Sequence, residues 1–387
     1  MILALLLAKR GVRVLVCERH DNFDREFRGE VLMPRFSQIL EELGLLSFLQ
    51  SKHHLKFSEV EIFNQGKILG SFSLEKIAPE LPYATWMAQP VMLEAFYEKS
   101  KQFPAFEMWF GATLKDLIKA NQKVAGAVVD HQGKLTDVRA KIVVGADGRM
   151  SAVKRSADFG IAYEEHNFDI VWFNVKKPAG YRDAVRGFFS KNHNYLILPK
   201  YPDLLQCGII VPKNEFQNYI KKGIGAIQKE LLEAHPVLHE FASQLTNYHV
   251  FSVLQARVHL VKKWALDGCL LIGDAAHTCS PAGAVGVSVA VQTAVVAAQT
   301  IYEAVQKNDF SGEFLGKIQR QREDNVREIH QLQKRVFGFV FPKNAMIKGI
   351  LPVVMSVLIK MDFLRKMQRK LFVLDHALKL DKEFKFS

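Results

Sequence analysis

The chain has 387 residues, long enough for two domains on one chain rather than a single core. Apolar residues make up 49% and charged residues 24%, a globular balance that excludes a chain dominated by disorder. Twelve Lys and Arg against four Asp and Glu fall between Gln331 and Ser387, so that tail carries +8 of the formal +12, and the mildly basic body excludes a nucleic-acid face.

In chain order, MILALLLA at Met1–Ala8 has the look of an export signal. No basic residue precedes it, no small-residue cleavage site follows it, and Lys9-Arg10-Gly11 leads into VRVLVCE. A helix over 1–10, a glycine stop and a strand over 12–17 fit this better. A helix over 34–43 stops at Gly44, and strands over 59–63 and 67–73 flank the turn Asn64-Gln65-Gly66. A helix over 90–102 precedes the strand-rich KVAGAVVDHQGKLTDVRAKIVVGADG, which turns at His131-Gln132-Gly133. Residues 163–212 then read as four strands of an antiparallel sheet: HNFDIVWFNV, AVRGFFS, NYLILP and LLQCGIIV. A helix over 214–234, a strand over 248–257, the short buried strand of GCLLIGD and an Ala/Val-rich helix over 284–306 follow. The remainder is helical and increasingly basic. No apolar run reaches the ~18 residues of a membrane span. Cys17, Cys207, Cys269 and Cys279 form no Cys-x-x-Cys pair, which suits free thiols in a reducing compartment. The pattern predicts an α/β, doubly wound domain interrupted by an inserted, mostly antiparallel sheet.

Two segments carry chemistry. Gly273-Asp274-Ala275-Ala276-His277 continues as TCSPAGAVGVSVAVQTA: a strand, an immediate carboxylate, a loop with Pro281, Gly283 and Gly286, then a helix. A carboxylate at a strand's C-terminal end accepts hydrogen bonds from ligand hydroxyls. Glycines let backbone approach a flat ring, and the helix N-terminus offers N–H groups and a positive dipole end. About 125 residues earlier stands Gly145-Ala146-Asp147-Gly148-Arg149, with Ser151 and Arg155.

These segments resemble the second FAD motif and the D-G motif of the FAD-dependent monooxygenases of the aromatic-hydroxylase (p-hydroxybenzoate hydroxylase-like) family, over about residues 1–335. The resemblance implies that Asp274 binds the ribityl chain. It sets Pro281, Gly283, Ala284, Val285, Gly286 and Val287 against the isoalloxazine ring, and Asp147 and Gly148 near the pyrophosphate. Glu18 matches an acidic residue on the adenosine ribose, Arg28 in RGEVLMP an arginine near the cofactor, and Gln89 a residue beside the flavin. His277 is usually structural in the family. Ser288 stands where an Asn is usual and Thr293 where an Asp is frequent. The implied division is a discontinuous FAD-binding domain (1–59, 85–160 and 255–335), a substrate-binding domain (60–84 and 161–254) and a basic helical segment (336–387). The implied activity uses FAD, with NAD(P)H as co-substrate and O₂, to oxygenate an aromatic or lipophilic small molecule through a C4a-hydroperoxyflavin. A flavin-dependent reductase on the same fold, or a non-catalytic relic, stays open as the alternative. A halogenase's W-x-W-x-I-P segment is not found. The sequence singles out no catalytic side chain, no metal ligands and no oligomeric state.

The family's first G-x-G-x-x-G loop is absent: ILALLLAKRG matches the second half of the helix that loop should open. Near the other end, 348–360 holds about ten apolar residues between lysines, too short to span a bilayer. Phe363, Leu364, Met367, Leu371 and Phe372 then share a helical face flanked by Arg365, Lys366, Arg369 and Lys370. That pattern over 348–373 suits a helix lying on an anionic membrane, or one packed on the flavin domain. The expected location is cytoplasmic, with peripheral contact to the inner membrane surface as the alternative.

Overall fold

The computed structural model describes residues 1–24, 30–190, 192–340, 362–373 and 380–386. Helix α1 (Ile2–Lys9) buries every residue from Ile2 to Ala8, which accounts for a sequence that is apolar all round. It packs against α4 (Gln89–Ser100) and α9 (Gly286–Lys307). Strand β1 (Val14–Cys17) runs parallel to β7 (Phe106–Trp109). Helix α2 (Pro34–Glu42) starts on a proline and packs on α9; the short α3 (Leu46–Gln50) follows it and was not expected. Strands β2 (Val31–Leu32), β3 (Leu55–Phe57) and β6 (Ala84–Trp86) make a small sheet of their own. Strands β8 (Ala112–Ala120), β9 (Lys123–His131) and β10 (Lys134–Arg139) form a meander whose second turn is the expected one at Gln132-Gly133, both at positive φ.

The inserted sheet has eight strands. β4 (Glu59–Asn64) and β5 (Lys67–Ser73) join β12 (Ile161–Lys176), β13 (Val185–Phe189), β14 (Asn194–Lys200), β15 (Leu204–Pro212), β16 (Ser252–Val261) and β19 (His277–Thr278). Their order is β19-β16-β12-β15-β14-β13-β4-β5, antiparallel throughout except for the β13–β4 pair. Alternation divides its faces. Val171, Phe173, Ile197, Leu205 and Ile209 point to a rear layer of α6 (Phe216–Lys221), α7 (Ile224–Ala234) and α8 (His239–Gln244). Ile170, Trp172, Leu198 and Ala256 point forward into the main core. The single helix expected over 214–234 is two, because Gly223 adopts φ +86, a left-handed conformation that breaks the ladder.

The expectation that nothing reaches membrane-spanning length needs correction. Ala282–Lys307 does so by length and composition, but 67% of its most apolar window is buried inside the protein, as befits a central core helix. Helices α10 (Gly312–Leu315), α11 (Lys317–Val340) and α12 (Asp362–Phe372) follow, and a 3-10 turn at Lys382–Phe384 is the last element among the described residues.

Candidate active site

Strand β11 (Val143–Gly145) lies parallel to β18 (Cys269–Leu271), with Gly145 opposite Leu271, and β17 (Ala265–Leu266) pairs antiparallel with β18. The two chemistry-bearing segments therefore leave neighbouring strand ends side by side. Gly145 is small for packing: a Cβ there would stand 2.6 Å from Leu271 Cδ2 and 2.8 Å from Val153 Cβ. Beyond the strand ends, Arg149 Nε lies 3.6 Å from Asp274 Oδ2, joining the two motifs, and Arg149 Nη1 donates to Gln255 O at 2.7 Å. Asp147 is occupied locally. Its Oδ2 accepts from the Ala152 and Val153 amides, while Ser151 Oγ accepts from Lys154 N, so the pair caps the short helix α5 (Ala152–Ser156).

The loop after β19 is shaped by its backbone and held from below. Gly283 (φ +79) and Ala284 (φ +52) are consecutive left-handed residues, strained for the alanine. A Cβ on Gly283 would stand 2.7 Å from Leu371 Cδ2 and 3.3 Å from Phe372 Cε1, so the C-terminal helix α12 rests directly on this loop. Arg35, 1% exposed, anchors that helix by donating to Lys370 O at 2.6 Å. Beneath the loop, Gln333 of α11 donates to Ser280 O (2.8 Å) and Ala282 O (2.7 Å) and accepts from Ser280 N (3.1 Å). Buried Arg322 donates to Gln292 Oε1 at 2.8 Å. Sequence reasoning missed Gln333 and Arg322. The available signal was polar residues on the same helical face as Val326 and Ile329.

The two departures from the family pattern find physical roles. Ser288 Oγ donates to Val285 O (2.8 Å) and closes the first turn of α9. Thr293 Oγ1 donates to Val289 O and therefore receives the Nε2 proton of His277 at 2.9 Å. His277 lies 4.7 Å from the Trp264 ring, and burial, then Arg322, pushes its pKa down to about 3. It is a neutral core group, as the family reading expected. His330, between Tyr163 OH (2.8 Å) and Cys279 Sγ (3.7 Å), is pushed down to about 4 by burial, as is His259 beside Lys154 (3.2 Å).

These three histidines make acid lability an expected property. Their folded pKa values lie below the ordinary ~6.5, so the unfolded chain takes up the protons first. The stability they contribute is complete above pH ~6.5 and is lost as pH falls toward 4. At about 1.4 kcal/mol per histidine per pH unit, several kcal/mol should vanish between pH 7 and 5. Thermal unfolding followed across that range tests this; an unchanged midpoint would refute neutral burial.

The other expected positions are spread out. Glu18 directly follows β1, and its Oε1 accepts from the His20 amide (3.1 Å) and pairs with the His20 ring (2.8 Å). Gln89 opens α4. Arg28 lies outside the described residues, as does 348–361 of the segment considered for membrane contact. In the described part of that segment, Arg365, Lys366, Arg369 and Lys370 are exposed while Leu371 and Phe372 are buried against the loop.

Asp274, the loop from Pro281 to Val287 and the N-terminus of α9, with no acidic residue in its first turn, together offer what a flavin needs: an acceptor, close backbone and a positive dipole end. The residues present fit FAD. Comparison with known proteins agrees. The chain is 29% identical over 372 residues to a 6-methylpretetramide 4-monooxygenase of Streptomyces rimosus, covering 92% of this chain and 88% of that one. It is 27% identical to a digeranylgeranylglycerophospholipid reductase of Thermoplasma volcanium over 58% of this chain and 56% of that one. The fold matches the crystal structure of p-nitrophenol 4-monooxygenase PnpA of Pseudomonas putida at a TM-score of 0.79 and 18% identity, covering 96% and 93% of the two chains. A family model described as an FAD binding domain matches residues 1–331, and the chain belongs to that FAD-binding family.

Proposed function

We propose that this chain is an FAD-dependent monooxygenase, a hydroxylase that uses NAD(P)H and O₂ to oxygenate an aromatic or lipophilic small molecule. The observation that carries the reading is the forward face of the eight-stranded sheet. Ile170, Trp172, Leu196, Leu198, Ile210 and Leu254 turn an apolar wall toward the core that holds both flavin motifs. Bound FAD supplies two-electron chemistry and the delivery of one oxygen atom from O₂; the protein positions it and keeps water out. In this reading Asp274 holds the ribityl chain, Glu18 the adenosine ribose, and Asp147 and Gly148 border the pyrophosphate. Arg28 and Gln89 border the cofactor, and Pro281 with Gly283 to Val287 backs the ring. The flavin-bearing part is discontinuous (1–59, 85–160 and 255–335) and the substrate-bearing part is 60–84 with 161–254. The proposal does not extend to membrane contact, since Leu371 and Phe372 are spent inside the molecule.

The reductase reading has support of its own in the identity to the Thermoplasma enzyme. Mass spectrometry of products formed under ¹⁸O₂ from a polycyclic phenol separates the two. Incorporation of one heavy oxygen is expected. A product that gains only hydrogen would replace the hydroxylase with a reductase.

A further inference from the structure

The small sheet and the large sheet meet at a charge. Glu30 enters β2 with 7% exposure, and its carbonyl accepts from Met87 N at 2.9 Å, which fixes it beside Trp86. Across the joint, Lys200 of β14 places Nζ 3.8 Å from Glu30 Oε2 and 5.6 Å from the Trp86 ring centroid. No hydrogen bond reaches Glu30 Oε2. On the strand paired with β14, Gln206 faces the same side, opposite Leu198, and is 2% exposed with no hydrogen bond to its Oε1. Burial lifts the Glu30 carboxyl to about 7, against the opposing pull of Lys200 and the Trp86 indole.

A buried carboxylate oxygen whose cationic neighbour stands 3.8 Å away, and a buried amide oxygen with no hydrogen bond, each gain free energy when a well-placed donor arrives. Lys200 and Gln206 share one face of the β14–β15 pair and Glu30 meets Lys200 there, so the two acceptors suit a ligand that brings hydrogen-bond donors into a largely apolar site. The joint is on the flavin side: Glu30 stands four residues before Pro34, which opens α2, and α2 packs on α9, the helix that the Pro281–Val287 loop leads into.

We propose that Glu30, supported by Lys200, is a specificity-determining residue that accepts a hydrogen bond from a phenolic or enolic hydroxyl of the substrate, with Gln206 accepting a second. The site takes neutral, hydroxyl-bearing aromatic molecules and rejects aromatic carboxylates, which would set one carboxylate against another. Lys200 opposes the burial that favours the protonated Glu30 carboxyl, and a hydroxyl donor shifts the balance further toward the ionised, accepting form. This rests on the hydroxylase reading for where substrate sits.

The test is equilibrium dialysis of the full-length protein with 2-naphthol, 2-methoxynaphthalene and 2-naphthoate. Wild type should bind 2-naphthol at least ~10-fold more tightly than the methyl ether, with 2-naphthoate weakest, one charge-assisted hydrogen bond being the difference. Glu30→Gln should erase the naphthol preference. The double variant Glu30→Gln with Lys200→Met removes both charges and leaves no unpaired ammonium, so it serves if the single variant does not fold. A purely structural ion pair would alter thermal stability and leave the ligand ratio untouched. An unchanged ratio in either variant, tightest binding of 2-naphthoate, or no naphthalene binding by wild type overturns the assignment. Oxygen incorporation in the same preparations separates the two readings: a naphthol preference without oxygenation sinks the hydroxylase reading alone, and oxygenation with an unchanged ratio sinks this one.

Discussion

Extending the chain ahead of Met1 with a β-strand and a G-x-G-x-x-G loop should tighten FAD binding at least ~100-fold, or ~2.7 kcal/mol. The sheet topology motivates this. Among the described residues β1 pairs only with β7, and β11 pairs only with β18 and not with β1. The parallel strands thus fall in two separate pieces, each with an unpaired edge that an added strand could satisfy. The same addition sets a glycine loop at the N-terminus of α1, which Met1 caps with no side-chain hydrogen bond. Backbone amides and the dipole end would then meet the pyrophosphate. Titrating both forms with FAD in one buffer, by flavin fluorescence, reads the difference. Equal affinities would mean that the pyrophosphate is gripped elsewhere in the chain.

Local patterns made much of this molecule legible. Apolar runs bounded by Pro, Gly, Asn and Asp mark β14 and β15, whose buried residues alternate between two cores. The strand–carboxylate–loop–helix order around Asp274 appears in the structure as β18, a single tight turn, β19 and α9. What escaped is long-range. Gln333 lies 51 to 53 residues from the loop backbone it holds, and the Arg35–Lys370 contact spans 335 residues, so no window of sequence contains both partners. Leu371 and Phe372 read equally well as a membrane face or a packed face, because apolar periodicity reports that a face is covered and not by what. Thr293 read as a lost carboxylate; only the His277 contact at 2.9 Å gives it a purpose. Glu30 was one letter in RGEVLMP until Lys200, 170 positions away, came within 3.8 Å.

Replacing Asp274 with alanine should lower flavin affinity by roughly 10- to 100-fold while the fold survives. A carboxylate receiving hydrogen bonds from sugar-chain hydroxyls makes charge-assisted bonds worth ~1.5–3 kcal/mol. Little stability is at stake in exchange. The Asp274 side chain is 37% exposed, and its pairing with Arg149 at 3.6 Å is partly solvated, so losing it should cost under ~1 kcal/mol. Its turn is held by the backbone, since Thr278 Oγ1 donates to the Asp274 carbonyl at 3.0 Å and that bond survives the substitution. Two further variants identify what the carboxylate does. Asp274→Asn keeps one acceptor oxygen without charge and should fall between wild type and alanine. Arg149→Gln frees the carboxylate from its cationic neighbour while leaving it as an acceptor, and should weaken binding less than Asp274→Ala. Visible spectra of the purified proteins, with FAD titration and thermal unfolding on each, supply the readout. Unchanged flavin content in Asp274→Ala would remove this residue from the cofactor site, and a collapse of the unfolding midpoint would make it a structural residue instead.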